Sequence, residues 1–328
     1  MPRDSTTSRT VICGIDGSAR SRDVARLGAE MASALGTGIT LVHVCRNSAS
    51  GVAADAMVHS AVLRGYTMLQ RISEDLEMVD RAELVVEIEV PDDPRAIADR
   101  LIDLAAERRA SMLVVGSRSG AGLVPAAMGR VCGELARTSP CPVCVLPRGA
   151  ALDAWALDAA PLLLCGVDGS EEARAAATNA AALTRSLSGR LLLAHVHPER
   201  RDGLDPSWGS LRAPLRSRPF DHDGAVEAQR RQGRRFLSTV EDSVAALAAP
   251  EQVLLAGDPA EELEALAARS DARILFVGSR GMGSVAAAML GSVSSVLVAS
   301  SRRPVVVLPP PAVAAASVRS EAGLASAQ

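Results

Sequence analysis

The 328-residue chain contains no lysine, so all 35 of its basic residues are arginine. That excludes Schiff-base chemistry and a Walker A P-loop, both of which need a lysine amine. Aromatic residues make up only 2%, which leaves almost no stacking platforms for single-stranded nucleic acid. A net charge of −3 gives no electrostatic drive toward nucleic acid or an anionic membrane, and neither is expected as a partner. Met1 to Arg9 lacks the apolar core of a secretion signal, so a cytoplasmic location is expected. Gly281 to Ser301 is uncharged and long enough to span a bilayer. It holds six serines and three glycines, however, and the matching stretch earlier in the chain carries Arg130 and Glu134, so a buried or interface helix is expected instead.

Cysteine is sparse for a disulfide framework: Cys13, Cys45, Cys132, Cys141, Cys144 and Cys165 are spread through a long chain. Cys141-Pro-Val-Cys144 has redox spacing, but a redox pair usually opens a helix that lowers the thiol pKa. Pro142 to Pro147 reads as a strand, and its second-half counterpart is Arg303-Pro304-Val305-Val306, so small buried hydrophobes are expected. The five histidines lack short-spaced partners, so no metal site is expected.

What is present is 48% hydrophobic and 22% charged residues, enough for two ordinary domains with a substantial core, and the chain is written twice. Val11-Ile-Cys-Gly-Ile-Asp-Gly-Ser18 recurs as Leu163-Leu-Cys-Gly-Val-Asp-Gly-Ser170, and Leu41-Val-His-Val44 recurs as Leu193-Ala-His-Val196 at the same spacing. Leu113-Val-Val-Gly-Ser-Arg118 recurs as Leu275-Phe-Val-Gly-Ser-Arg280, and Pro142-Val-Cys-Val-Leu-Pro147 as Pro304-Val-Val-Val-Leu-Pro309, both at a longer spacing. An offset that steps once means two copies of one domain with an insertion in the second. The copies are assigned to 1–147 and 162–309, with a linker over 148–161 and an Ala/Ser/Pro tail over 310–328 that is expected to be disordered. The insertion falls mainly in 198–223, with Trp208 and Phe220, as a surface loop, a ligand lid or a partner-docking loop.

Each copy alternates strand and helix. Copy one has apolar strand-like runs at Thr10–Ile15, Gly38–Cys45, Glu83–Val90, Met112–Gly116 and Pro142–Leu146. Helical patterns cover Ala19–Leu35, Ala53–Arg81 and Pro94–Arg109. Runs apolar on both faces suit parallel strands covered by helices. The expected fold is α/β: two tandem doubly wound domains, each a five-stranded parallel sheet flanked by helices.

In such sheets ligands bind at the carboxyl ends of strands, where strand order reverses. Two segments per copy are placed there. One is the Gly-x-Asp-Gly-Ser turn after the first strand. The other is the glycine-rich stretch after the fourth, which in copy two runs Gly278-Ser-Arg-Gly281-Met-Gly283-Ser284 and reaches a helix start at Gly291-Ser-Val-Ser294. Glycines there admit a bulky anion. Ser292 and Ser294 offer hydroxyls beside the free N–H groups of a helix start, which attract phosphate. No acid lies between Asp271 and Glu321, while Arg273, Arg280, Arg302, Arg303 and Arg319 do, so an anion site is expected. The bland alternative is that the glycines only allow tight turns and close packing. A dinucleotide fingerprint is excluded because no acid follows at the distance that holds a ribose.

These motifs, in this order, resemble the universal stress protein family in its tandem two-domain form. Nucleotide-binding members carry Gly-x2-Gly-x9-Gly-Ser/Thr after the fourth strand, matched here by Gly278, Gly281, Gly291 and Ser292. Gly257-Asp-Pro259 and the last strand also match. The resemblance implies ATP, with magnesium: adenine near Asp168 and Val196, ribose near Gly278, phosphates on Gly281, Gly291, Ser292 and Val293, with Gly166, Ser279, Arg280, Gly283 and Ser294 completing the set. Asp168 either meets the nucleotide or magnesium-bound water, or fixes its own turn through backbone N–H groups; the two roles are compatible. His195 and His43 are expected to hydrogen-bond locally.

In copy one the corresponding residues are Gly14, Asp16, Val44, Gly116, Gly122 and Gly129, and the pattern is degenerate. Ser119 replaces the second glycine, Arg130 replaces the serine, and Asp92-Asp93-Pro94 stands for Gly-Asp-Pro. A Cβ at position 119 costs about 1 kcal/mol if φ must be positive. Arg130 either clamps a phosphate or fills the pocket. The expected function is a nucleotide-responsive regulator in stress or dormancy, acting through an unidentified protein partner, with pairing of the copies through their last strands and a further homodimer. The alternatives are a slow ATPase or phosphoryl-transfer enzyme, and a nucleotide-free interaction scaffold. No catalytic residue is assigned.

Overall fold

The computed structural model describes residues 9–46, 54–79, 81–89, 94–117, 129–150, 160–197, 222–281 and 290–310. Copy one runs β1 (Thr10–Gly14), α1 (Ser21–Leu35), β2 (Gly38–Arg46), α2 (Ala54–Asp75), β3 (Ala82–Glu89), α3 (Pro94–Glu107), β4 (Met112–Gly116), α4 (Arg130–Thr138) and β5 (Val143–Leu146). Copy two runs β6 (Leu162–Gly166), α5 (Glu171–Ser186), β7 (Arg190–His197), α6 (His222–Val244), β8 (Glu251–Ala256), α7 (Pro259–Arg269), β9 (Ile274–Gly278), α8 (Ser292–Ser300) and β10 (Val305–Leu308). The tail over 311–328 and the insertion over 198–221, with Trp208 and Phe220, lie outside the described residues.

The strands alternate between two apolar layers, as a sheet covered on both faces requires. Val11 and Cys13 pack into the layer formed by α1, α2, α5 and α6. Ile12 and Val42 pack into the opposite layer with Leu101, Leu135, Leu263 and Leu297. Cys141 and Cys144 fall into opposite layers, so the CxxC spacing does not bring the two thiols to one face. All six cysteines are free and buried.

One helix end follows the pattern and one is overridden by tertiary packing. Helix α1 stops at Gly36, whose φ of 61° lets its N–H reach back to the carbonyls of Ala32 and Ser33. Helix α2 stops at Asp75 rather than continuing to Arg81. Glu77 takes a φ of 54°, and Met78, 5% exposed, turns into the core with its N–H on Ser73 O at 2.8 Å. Burying a methionine side chain stabilises by about 1.5–3 kcal/mol, which outweighs the about 1–2 kcal/mol of a left-handed residue.

Strand order is β3-β2-β1-β4-β5-β10-β9-β6-β7-β8 in one ten-stranded sheet. Within each copy every pairing is parallel, while β5 and β10 pair antiparallel, with Val305 opposite Val145, Val306 opposite Cys144 and Val307 opposite Val143. The last strands therefore pair as expected, but they are the centre of one sheet rather than the edges of two. All eight of their residues, Val143–Leu146 and Val305–Leu308, are fully buried. The antiparallel join turns one copy against the other, so their carboxyl edges face opposite rims of the sheet.

Candidate functional site

In copy two strand order reverses between β6 and β9, and two loops meet there. The β6–α5 turn is shaped by Asp168, whose Oδ1 accepts from the backbone N–H of Ser170 at 3.0 Å and from its hydroxyl at 2.6 Å. The same hydroxyl oxygen caps α5 by accepting from Ala173 N–H at 3.1 Å, and Gly169 supplies the positive φ of the turn, 89°. The sequence places Ser170 in the Gly-x-Asp-Gly-Ser turn without assigning it the cap. Its signal, a serine immediately before a helix whose first turn carries Glu171 and Glu172, is the ordinary N-cap pattern.

The other loop leaves β9 at Gly278. A Cβ there would sit 2.8 Å from Glu172 Cβ and 3.0 Å from Ala173 N, so this glycine admits the start of α5 against the sheet. At Gly281 a Cβ would run into Asp168 Oδ2, well inside van der Waals contact. The glycine after β9 thus lies against the carboxylate after β6, across the switch point. Gly291 closes the loop: its N–H donates to Ser279 O at 2.7 Å. It is the N-cap of α8 and has no side chain to satisfy the first-turn N–H groups.

Several predicted site residues are placed otherwise than the sequence suggests. Ser294 does not present its hydroxyl outward; it is 2% exposed, and its Oγ donates to Ser279 O at 3.2 Å and Gly291 O at 3.0 Å. A helix-start serine facing its own loop is drawn inward by those carbonyls. Ser292 is exposed and Val293 half-buried. Val196 belongs to the core, at 9% exposure. A Cβ on Gly166 would meet Leu263 Cδ1 at 2.9 Å, so that glycine serves packing under α7. Ser279 is fully buried, its N–H bonded to Leu308 O, and its hydroxyl finds no hydrogen-bond partner among the described residues. Arg280 follows it, half-buried. Gly283 and, in copy one, Gly122 lie outside the described residues.

The expected arginine field also divides. Arg273 precedes β9, and Arg302 and Arg303 precede β10, so they lie at the amino ends of those strands, on the opposite rim from Gly281 and Gly291. Arg303 pairs with Glu264 and donates to Ala272 O, Arg273 pairs with Asp271, and Arg302 N–H reaches Glu264. The absence of acids in the local sequence concealed partners supplied by α7. Of the described arginines in that stretch, only Arg280 stands on the loop.

Copy one keeps the frame and changes the lining. Asp16 Oδ1 accepts from Ser18 N–H at 2.9 Å and Ser21 Oγ at 3.2 Å. Gly129 caps α4 as Gly291 caps α8, and exposed Arg130 stands where copy two has Ser292. Gly14 and Gly116 end β1 and β4, packed near Val115 and Val24, and Val44 is half-buried. Arg20 opens α1 and donates to Ala150 O at 2.9 Å and to Arg148 O, holding the chain that leaves β5 beside this turn. In both copies the second-strand histidine is structural: His43 Nδ1 bonds Ile15 O and His195 Nδ1 bonds Val167 O, each at 2.7 Å. Among the described residues no His, Cys, Asp and Glu cluster could hold a metal ion, and no helix is long and apolar enough to cross a membrane.

A doubly wound sheet repeated in tandem, with an acidic turn and an uncapped helix start meeting at the strand-order switch, defines an α/β protein of the doubly wound class. The model of the universal stress protein family matches residues 7–147 and again 162–309. The chain belongs to that family. It is 30% identical over 139 residues to a universal stress protein of Thermus aquaticus encoded in the 3′ region of a QAH/OAS sulfhydrylase, an alignment covering 42% of this chain and 90% of that one. A universal stress protein from Archaeoglobus fulgidus is 18% identical, with a TM-score of 0.62 over 92% of this chain and 98% of that one. A functionally unknown protein from Pseudomonas aeruginosa PAO1 is 14% identical, with a TM-score of 0.60 over 96% and 98%. Both likenesses show the fold.

Proposed function

We propose that this chain is an ATP-binding regulator whose nucleotide site is the β6–β9 crevice of copy two. The observation that carries the reading is the meeting of Gly281 with the Asp168 carboxylate beside the uncapped start of α8. Three further features fit a nucleotide. The N–H groups of Ser292, Val293 and Ser294 have no side-chain cap and suit a phosphate. The Ser279 hydroxyl is buried without a partner, and such groups usually find one. Glycine at 281 lets the loop lie close against the Asp168 carboxylate, which no side chain there would allow. Asp168 would hold a ribose or adenine donor or a magnesium-bound water, while its Oδ1 keeps the turn in shape.

A switch of this kind needs only that the bound and free forms differ in affinity for a protein partner. Slow hydrolysis by bound water is compatible with the site, but it offers no lysine clamp and no general base other than Asp168. Copy one is proposed as the weaker nucleotide site, or a scaffold, because Arg130 stands where copy two has an exposed serine. A cytoplasmic homodimer completes the proposal; its test is light scattering at micromolar concentration, where a monomer removes it.

The function is tested by denaturing the purified protein and identifying any released nucleotide by absorbance and chromatography, followed by titration of the emptied protein with Mg-ATP. Saturable binding is expected, with turnover well below one per second. Absence of binding would leave the scaffold reading, and turnover of several per second abolished by Asp168→Ala would make the protein an enzyme.

A further inference from the structure

Copy one carries a second concavity away from the strand-order switch. It is a cleft of about 620 Å³ between the β1–α1 turn and helix α2. The crevice of the family motif lies between β1 and β4; this cleft lies on the α1–α2 side of the same turn. Its α2 wall presents Arg64 and Arg71, two helical turns apart, and its α1 wall presents Arg22. Leu63, Met68 and Ile72 supply apolar surface between them. Leu63 is 54% exposed, so its side chain is accessible from the cleft.

The charges do not cancel. Arg22 is held by Asp75, and the Asp16 carboxylate is engaged by Ser18 N–H and Ser21 Oγ. Arg64 donates to the Ser60 hydroxyl, which carries no charge. Among the described residues no carboxylate pairs with Arg64 or Arg71, so two guanidinium charges remain against the cleft. A guanidinium fork matches carboxylate and phosphate oxygens alike, and two of them beside hydroxyls suit a group with several oxygens, such as a phosphate.

Copy two differs at this place. Phe236 stands where copy one has Met68: its ring lies 2.5 Å from the position of a Cβ on Gly169, whereas Met68 Sδ lies 3.2 Å from that of Gly17. The ring also meets His195 edge-on at 5.4 Å. Arg64 and Arg71 are replaced by Gln232 and Thr239 when the histidine-packed glycines Gly65 and Gly233 are aligned. Copy two carries Arg231 and Arg235 where copy one has Leu63 and Thr67, so what belongs to copy one alone is an apolar floor of Leu63 and Met68 set between its arginines.

We propose that this cleft binds a phosphorylated small molecule of nucleotide size, its phosphates on Arg64 and Arg71 and its uncharged body on Leu63 and Met68. The site is independent of the β6–β9 crevice and of the function proposed for it. It would give the tandem protein a second input, chemically related to the first but read on the other copy.

The test uses the full chain with methyl-labelled methionine, titrated with ADP, inorganic pyrophosphate and adenosine separately while the methyl resonances are followed. Met68→Leu assigns the Met68 signal. ADP is expected to shift it saturably, pyrophosphate to shift it more weakly, and adenosine alone to leave it unmoved. Arg71→Ala is expected to weaken the ADP response at Met68 roughly tenfold or more, because charge-assisted bonds are lost. Arg71 is not among the residues placed at the β1–β4 crevice, so this change is expected to leave binding there intact. An unmoved Met68 signal in saturating ADP overturns the proposal. So does a shift that Arg71→Ala leaves unchanged, since it would report nucleotide in the β1–β4 crevice instead.

Discussion

At the scale of the residue, glycine and cysteine show how space and solvent decide chemistry. Gly281 is constrained by what lies opposite: any side chain there collides with the Asp168 carboxylate. Gly281→Val is expected to remove ATP binding from copy two while leaving the fold intact, because the loop can yield but the carboxylate cannot be displaced without losing the turn it anchors. Circular dichroism and a calorimetric ATP titration of the same sample check both halves of that expectation. The cysteines behave as buried hydrophobes. Burial raises the thiol pKa of Cys13 and Cys165, and pushes that of Cys144 up to about 12. A thiol that stays protonated in the folded chain but ionises in the unfolded one makes stability fall as pH rises above the unfolded value near 9. Each such group contributes a slope of about 1.4 kcal/mol per pH unit. Denaturant midpoints are therefore expected to be flat up to pH 8 and to drop between pH 9 and 12, less steeply in Cys144→Ala. A midpoint constant to pH 11 would contradict the assignment.

At the scale of the element, the two copies of one turn have diverged in how their helices begin. Ser170 joins Asp168 to the start of α5 through its hydroxyl. Its counterpart Ser18 uses its backbone N–H on Asp16, and α1 starts later, after Arg20, without a side-chain cap. Ser170→Ala is expected to cost about 1 kcal/mol and to weaken ATP binding by loosening Asp168, whereas Ser18→Ala is expected to be nearly neutral; paired thermal melts check the difference. The order of elements was legible in the sequence because short Val/Leu runs and helical periodicity are local signals. The end of α2 was not, since Met78 turns inward only because a core is there to receive it. The same distinction explains the site. The glycine and Asp positions could be read from motif spacing, but the inward hydroxyl of Ser294 depends on the folded path of its own loop, and the pairing of Arg303 on Glu264, far along the chain. Arg64 and Arg71 carried no motif at all.

At the scale of the whole molecule, the antiparallel union of β5 and β10 makes one sheet from two repeats and points their crevices to opposite rims. The repeat predicted the two copies, and the family resemblance implied that they pair through their last strands; the assembled sheet adds that this pairing is antiparallel and joins both repeats into one sheet. Val306 faces Cys144 at the centre of that join and is fully buried. Val306→Asp places a carboxylate there without a partner, which should cost several kcal/mol and lower the melting temperature by well over 5 °C. Differential scanning calorimetry is the check, and an unchanged melting temperature would contradict the burial of Val306.

The most direct measurement is calorimetric titration of the nucleotide-free full chain with Mg-ATP, run in parallel on Gly281→Val and Gly116→Val. The account predicts that the tight phase disappears in Gly281→Val and survives in Gly116→Val. Equal loss in both variants, or an unaltered titration in Gly281→Val, would contradict it.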